Sequence, residues 1–362
     1  MPLPWLRLHR ARGARANSPQ GTERIVVLDR PIRRRFTWPG GRRRLAAVPY
    51  LLPFDEREIH RLDFQHYLLR HALQGNFSAP ITENPRGYPA SVLDVGCGTG
   101  RWGIEMAQQF PDANVIGVDL SPLLDEEAAL ERQPPNFSFV PANVLQGLPF
   151  ADATFEYVFQ RLLFLAIPAL LWPGVARELV RVAQMGGWVE LVEGSVTEGG
   201  GPALATLAEW AVTLSSQRGI DLSLGTLIGP FLKEAGLQHV TVRRVDVPIG
   251  RGVRGAQHIA RMMATNFMAG LGGLRAAVVG QGVATGIAFD VATKAARSEL
   301  DRFRCIQPFY VAYGQRSLPP STSQSPPSQP HASQPHASQP HASQPHASQP
   351  HASQPSLPSR PF

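Results

Sequence analysis

Nine consecutive residues, Val92-Leu93-Asp94-Val95-Gly96-Cys97-Gly98-Thr99-Gly100, constrain this chain more than any other stretch. A short apolar run ends in a turn rich in glycine, and helix-forming residues follow from Arg101 to Gln109. The pattern predicts a strand, a tight turn and the start of a helix. Glycine lets the backbone approach a ligand closely and adopt conformations that a side chain forbids. Such a turn by itself fits any nucleotide. Gly98, Gly100 and Gly103 match the bare dinucleotide fingerprint, but that register starts beyond the strand. Anchored at the strand end, Gly96 and Gly98 fit and the third glycine is replaced by Arg101. Asp94 argues further against a pyrophosphate, because a carboxylate there repels phosphate charge and suits an ammonium group.

The surrounding sequence alternates between strand and helix patterns. Strand-like runs cover Ser91–Val95, Asn114–Val118, Phe137–Val140, Phe155–Phe159 and Gly187–Glu193, with later runs at His239–Val247 and Pro308–Tyr313. Helical stretches cover Asp55–Gln74, Arg101–Gln109, Trp172–Ala183, Ala203–Gln217 and Gly225–Ala235, and more helix is expected within 254–301. Short apolar strands separated by helices define a doubly wound α/β domain with a parallel sheet. Such sheets bind ligands outside the carboxyl ends of their strands. Four sets of residues fall there: Asp94 with its glycines, Asp119-Leu120, Asn143-Val144 and Gln160-Arg161. A carboxylate at Asp119 can accept both ribose hydroxyls, and a side-chain amide at Asn143 can pair with an adenine edge. S-adenosylmethionine (SAM), with a cationic sulfonium and no phosphate, meets these requirements.

These motifs carry a family resemblance. The Asp94–Gly100 stretch resembles motif I of the class I SAM-dependent methyltransferases. Leu148-Pro149-Phe150 through Phe155-Glu156-Tyr157 looks like their segment before the fourth strand. Arg177–Val182 and Gly186-Gly187-Trp188 look like the helix and turn before the fifth, with Met185 where proline is usual. Tyr50-Leu51-Leu52-Pro53, the following Asp55–His66 stretch, Trp172-Pro173 and Phe309–Gly314 are similar to the LaeA-like branch, which includes fungal regulators of secondary metabolism. The resemblance spans about Tyr50 to Arg316. It implies a Rossmann-like methyltransferase sheet with SAM as cofactor. Asp94, Gly96, Gly98 and Gly100 would cradle the methionine end, and Asp119, with Leu120 beside it, the ribose. Asn143 and Val144 would meet the adenine, and Gln160 would line the site near the methyl group. Family members commonly have Asp where Asn143 stands, and Asn keeps an acceptor oxygen.

The catalytic residue is not named by these motifs, because sulfonium is already a good leaving group and alignment can supply most of the rate. Glu193, His66 and Arg161 are the candidates. His66 lies on the stripe Ile59, Leu62, His66, Leu69, Leu73, where a hydrogen-bonded core histidine outweighs a base. Glu190 reads as structural, and Cys97 reads as a packing residue. No His, Cys or Asp cluster has metal spacing. The helix Asp55–Gln74 precedes the first strand and is expected to act as a lid, with Arg61 and Gln65 reaching toward the ligand.

The net charge of +7 is localised: residues 1–46 hold twelve arginines against Glu23 and Asp29. This leader is expected to be disordered, residues 47–316 to form the methyltransferase domain with its core motifs in 91–193, and 317–362 to be a disordered tail. In that tail His-Ala-Ser-Gln-Pro repeats in tandem from His331 to Pro355, and a proline every fifth residue forbids a helix. There is no uninterrupted apolar run of membrane-spanning length, so no membrane partner is expected. Two cysteines, Cys97 and Cys305, fit a reducing cytoplasm. The function expected is methyl transfer to a small molecule of secondary metabolism. A SAM-binding regulator with little turnover, or an RNA methyltransferase using the arginines as an arm, are the alternatives.

Overall fold

The computed structural model describes Ile25, residues 36–37, 41–45, 50–120, 133–250 and 255–317. Seven strands form the frame: β1 (Ser91–Val95), β2 (Asn114–Asp119), β3 (Phe137–Pro141), β4 (Phe155–Arg161), β5 (Ala183–Gly194), β6 (Leu237–Ile249) and β7 (Cys305–Arg316). They lie in the order β3-β2-β1-β4-β5-β7-β6, and the two-residue strand Glu198–Gly199 also pairs with the start of β7. The first five are parallel, whereas β7 runs antiparallel to both β5 and β6. The strand order reverses between β1 and β4, which makes their carboxyl ends the crevice of the sheet.

Alternation along β1 explains the layering. Leu93 and Val95 face one core with Trp172, Val175 and Leu179 of α3 (Trp172–Val182) and with Ile228 and Leu232 of α5 (Ile228–Glu234). Val92 faces the other core with Trp102 and Met106 of α2 (Arg101–Gln109). Side chains on a strand alternate between faces, so one five-residue strand supplies both layers. β4 runs past the apolar stretch seen in the sequence because Gln160 and Arg161 continue the ladder opposite Leu191 and Val192 of β5.

A third core is helical. It joins Leu68 and Leu69 of α1 (Glu56–Leu73), Leu204, Leu207 and Leu214 of α4 (Pro202–Ser216), Met263 and Leu271 of α6 (Gln257–Gly280), and Phe289 of α7 (Gly286–Glu299). The expected helical region 254–301 is therefore two helices, broken where Gly282 takes a positive φ of 69°. The helix expected over Gly225–Ala235 is a 3-10 turn, Leu224–Leu227, followed by α5. Gly225 lets this turn pack on β5, where a Cβ would come within 2.5 Å of the Gly194 carbonyl. By length and mean hydropathy α6 is able to cross a bilayer, but here Ala260, Met263, Met268 and Leu271 are buried in the fold.

Asp55 starts α1, its carboxylate accepting from the Glu58 amide at 3.1 Å. Of the expected stripe on α1, His66 and Leu69 are buried and Leu73 packs against two of the cores, while Glu58, Arg61 and Leu68 widen the buried face. Arg61 does not reach toward a ligand. Its guanidinium pairs with Glu58 at 2.6 Å and donates to Asn266 Oδ1 at 3.0 Å, tying α1 to α6. Most of the expected leader lies outside the described residues, as do 318–362. Arg42–Arg44, assigned to the leader, are packed instead. Arg42 pairs with Asp55, Arg43 donates to the Phe54 carbonyl, and buried Arg44 donates to the carbonyls of Leu51 and, at 2.7 Å, Gly273.

Candidate active site

One pocket opens at the carboxyl ends of β1, β2 and β4, and it gathers most of the expected residues. Asp94, Gly96, Gly98, Asp119, Leu120, Asn143, Val144, His66 and Arg161 all line it. Gly96, Gly98 and Gly100 take φ values of 71°, 55° and 70°, the left-handed region that L side chains avoid. A Cβ on Gly96 would also meet Leu163 at 2.6 Å across the pocket. The turn is pinned at two points: the Gly96 amide donates to the Val118 carbonyl at 2.8 Å, and the Gly98 amide donates to Asp119 Oδ2 at 2.9 Å. Asp119 Oδ1 accepts from the Leu120 amide at 2.7 Å. Asp119 thus orders the glycine turn and lines the pocket at the same time.

Asp94 is only 3% exposed, and its Oδ2 has no hydrogen-bond partner. Burial pushes its carboxyl up to about 7, opposed by Arg161 and by the Gly103 amide. A buried carboxylate with an empty oxygen is costly unless a cation meets it. Asn143 has a local structural role as well. Its Oδ1 accepts from the Leu145 amide at 3.0 Å and so caps the short 3-10 turn Val144–Gln146.

Three expected residues do not line the pocket. Gly100 is the N-cap of α2, and a Cβ there would touch Phe137 at 3.2 Å. Its role is in the turn's packing. Gln160 is fully buried and donates to Glu193 at 3.3 Å. It follows the strand alternation: Phe159 and Arg161 point into the pocket, so Gln160 points away. Glu193 is likewise sealed, accepting from the Leu163 and Phe164 amides at 3.1 Å each. It anchors the loop after β4 and has no path to an acceptor as a base. Burial holds its carboxyl up at about 8.

His66 is placed in the pocket wall but is not available as a base. Arg161 lies 2.9 Å from its Nδ1. A guanidinium can only donate, so Nδ1 must be the acceptor and the ring proton sits on Nε2, which lies 3.1 Å from Glu105 Oε2. Burial, then the Arg161 charge, pushes His66 down to about 4. Cys97 packs beneath the turn, and burial pushes its thiol up. Glu190 is structural, accepting from the amides of Ser78 and Ala79 and from the Tyr157 hydroxyl.

The sequence reading missed the apolar half of the pocket: Tyr50, Phe54, Leu163, Ala166 and Ile167. Leu62 and Gln65 of α1 join them, so α1 covers one side of the pocket. Leu162 and Leu163 follow β4 directly, and the rule that places ligands at strand ends would have found them. Leu162 holds φ at 60° while its amide bonds to the Val192 carbonyl, the kind of local strain that persists at binding sites.

The comparisons with known proteins agree with this geometry. The methyltransferase domain profile matches residues 92–187. Methyltransferase str2 of Strobilurus tenacellus is 30% identical over 212 residues, covering 56% of this chain and 72% of the relative. N-methyltransferase sirN of Leptosphaeria maculans is 30% identical over 208 residues, covering 56% and 71%. Secondary metabolism regulator laeA of Aspergillus flavus is 34% identical over 146 residues, covering 40% of this chain and 37% of the relative. The strand order, the glycine turn and Asp94 define a SAM-binding enzyme. The chain belongs to the class I SAM-dependent methyltransferases, in their LaeA-like branch, and uses SAM as cofactor. The site fits that cofactor on its own terms: an unpartnered buried carboxylate oxygen, and a glycine cradle that a Cβ would fill.

Proposed function

We propose that this enzyme methylates a small, largely apolar molecule of secondary metabolism. The observation that carries this is the pocket wall beyond the glycine turn, where Tyr50, Phe54, Leu62, Leu163, Ala166 and Ile167 enclose the space next to the cofactor residues. Apolar enclosure with few polar groups is the usual character of a small-molecule site. In this reading Asp94, Gly96 and Gly98 hold the methionine end, Asp119 the ribose hydroxyls, and Asn143 with Val144 the adenine. The bound cofactor supplies an electrophilic methyl on a good leaving group. The protein supplies alignment and excludes water.

The arginines at 42–44 count against an RNA arm, since all three are used inside the fold. The likeness to a regulator keeps a second reading open, SAM binding with little turnover. Both are tested by incubating the full chain with SAM, a panel of aromatic and polyketide-type small molecules, and transfer RNA. S-adenosylhomocysteine (SAH) should form with small molecules and not with RNA. Saturable SAM binding without SAH formation across the panel would favour the regulator, and SAH formation with RNA alone would overturn the small-molecule reading. A cytoplasmic location, and a domain bounded near residues 47 and 316 with its start moved back to about 41, complete the proposal.

Asp94 makes the site pH-dependent. Its folded pKa of about 7 lies above the ordinary carboxylate value, so its contribution to stability is present at low pH and is lost as pH rises through 7. The groups facing it are Arg161 from β4, Asp119 from β2 and the Gly103 amide from α2. A cationic ligand end prefers the ionised form, so binding has the opposite sign to stability. SAH should bind about tenfold tighter at pH 8 than at pH 6, as linkage through one group requires. In Asp94→Asn the calorimetric affinity should be weaker and flat across that range. A flat profile in the native protein would remove Asp94 from the cofactor site.

A further inference from the structure

One wall of the pocket carries a positive charge to which the cofactor contacts assigned above give no role. Arg161 closes β4 and faces the pocket, its guanidinium 2.9 Å from His66 Nδ1 and its central carbon 5.8 Å from the centre of the Phe159 ring. Both neighbours are uncharged. Four carboxylates stand around it at longer range: Asp94 on β1, Glu105 on α2, and Glu190 and Glu193 on β5. Among the described residues none of them pairs with it. Glu105 is taken up by Arg70 and Asn76, Glu190 by Ser78, Ala79 and Tyr157, and Glu193 by Leu163, Phe164 and Gln160. Asp94 faces it from the ammonium end of the cofactor site, and the guanidinium's nearest neighbours are the neutral His66 ring and Phe159. A cation withdrawn from water without a counter-ion is unfavourable.

Among the described residues, neither His66 nor Glu193 can take a proton on this wall. The single lone pair of neutral His66 is occupied by Arg161, and Glu193 is sealed behind the loop that it anchors. Burial keeps the Tyr50 hydroxyl protonated. A fixed cation without a base suits a nucleophile that is already an anion. It also resolves a charge conflict, because a sulfonium and a guanidinium in one poorly solvated pocket repel unless negative charge lies between them.

We propose that the methyl acceptor binds as an oxyanion with Arg161 as its counter-ion, so that the acceptor is a phenol, an enol or a carboxylic acid. This rests on the methyltransferase function and names the class of its substrate. The acceptor gives up its proton to solvent on binding. Its anionic oxygen then forms the bond to the methyl carbon as the carbon–sulfur bond breaks, with that electron pair passing to sulfur. The products are a methyl ether or ester and a neutral thioether, and no proton moves during the transfer.

The cofactor's own carboxylate offers Arg161 the same chemistry, and the test separates the two sources. 4-Nitrophenol serves as the probe, because only its ionised form absorbs visible light. With the full chain saturated by SAH, the bound phenol should ionise about one pH unit or more below the free phenol, the mark of a nearby cation. Arg161→Gln should abolish that shift and Arg161→Lys should keep most of it. SAH affinity of Arg161→Gln, by calorimetry on the alkaline plateau of each protein's binding profile, where Asp94 is ionised with or without the guanidinium, should stay within about threefold of the native value, a change below one kcal/mol. An unshifted or raised ionisation in the native protein, a shift that survives Arg161→Gln, or no saturable binding of the phenol would overturn the proposal. So would a tenfold or greater loss of SAH affinity in Arg161→Gln, which would assign the guanidinium to the cofactor's carboxylate. SAH binding by the native protein reports separately on the methyltransferase function.

Discussion

Replacing Asp119 with alanine should weaken SAH binding at least about tenfold. Two charge-assisted hydrogen bonds to the ribose are lost, each worth about 1.5–3 kcal/mol. The structure adds a second cost. The same carboxylate accepts from the Gly98 and Leu120 amides, so the glycine turn loses the bond that holds Gly98. Asp119→Asn keeps the shape and one acceptor oxygen, and should fall between the two. Calorimetry decides the matter: an unchanged affinity in Asp119→Ala would sink the ribose assignment. NADH binding of comparable strength would point instead to a dinucleotide enzyme.

Trp172→Ala should produce the largest loss of stability. The side chain is fully buried, its ring stacks on Phe231 with centroids 6.4 Å apart, and its Nε1 donates to the Ile167 carbonyl at 3.2 Å. Truncating a buried tryptophan to alanine costs roughly 3–5 kcal/mol, transfer and cavity together. For a domain of this size each kcal/mol moves the melting temperature by about 2–4 °C. Circular dichroism should therefore show a fall of around ten degrees. Trp172→Phe keeps most of the volume and loses chiefly the hydrogen bond, about 1 kcal/mol. Because Ile167 is part of the acceptor wall, Trp172→Ala should also loosen acceptor binding more than cofactor binding. A melting temperature within a few degrees of the native one would show that Trp172 does not support this wall.

The lid reading shows how far a periodic pattern carries. Helix α1 is where the pattern puts it, and Leu62, Gln65 and His66 reach the pocket. The apolar stripe locates part of the buried face, through Leu69 and Leu73. It does not show the ion pair that α1 also buries, Glu58 with Arg61, completed by Asn266 far along the chain. A polar network satisfied by a remote residue leaves no local period.

The sequence by itself determined the sheet, the glycine turn and the cofactor. Each depends on residues close together in the chain: a short apolar run, glycines where φ turns positive, a carboxylate at the end of a strand. The tertiary structure alone decided which polar residues are free to act. Gln160, Glu193 and Arg161 lie near the same strand ends and look alike as candidates in sequence. Strand alternation turns Gln160 inward, two loop amides consume Glu193, and a histidine from α1 steadies Arg161 in the open pocket. Whether a charged group is a structural anchor or a binding group depends on how many partners reach it. Those partners come from segments that the chain brings together only on folding.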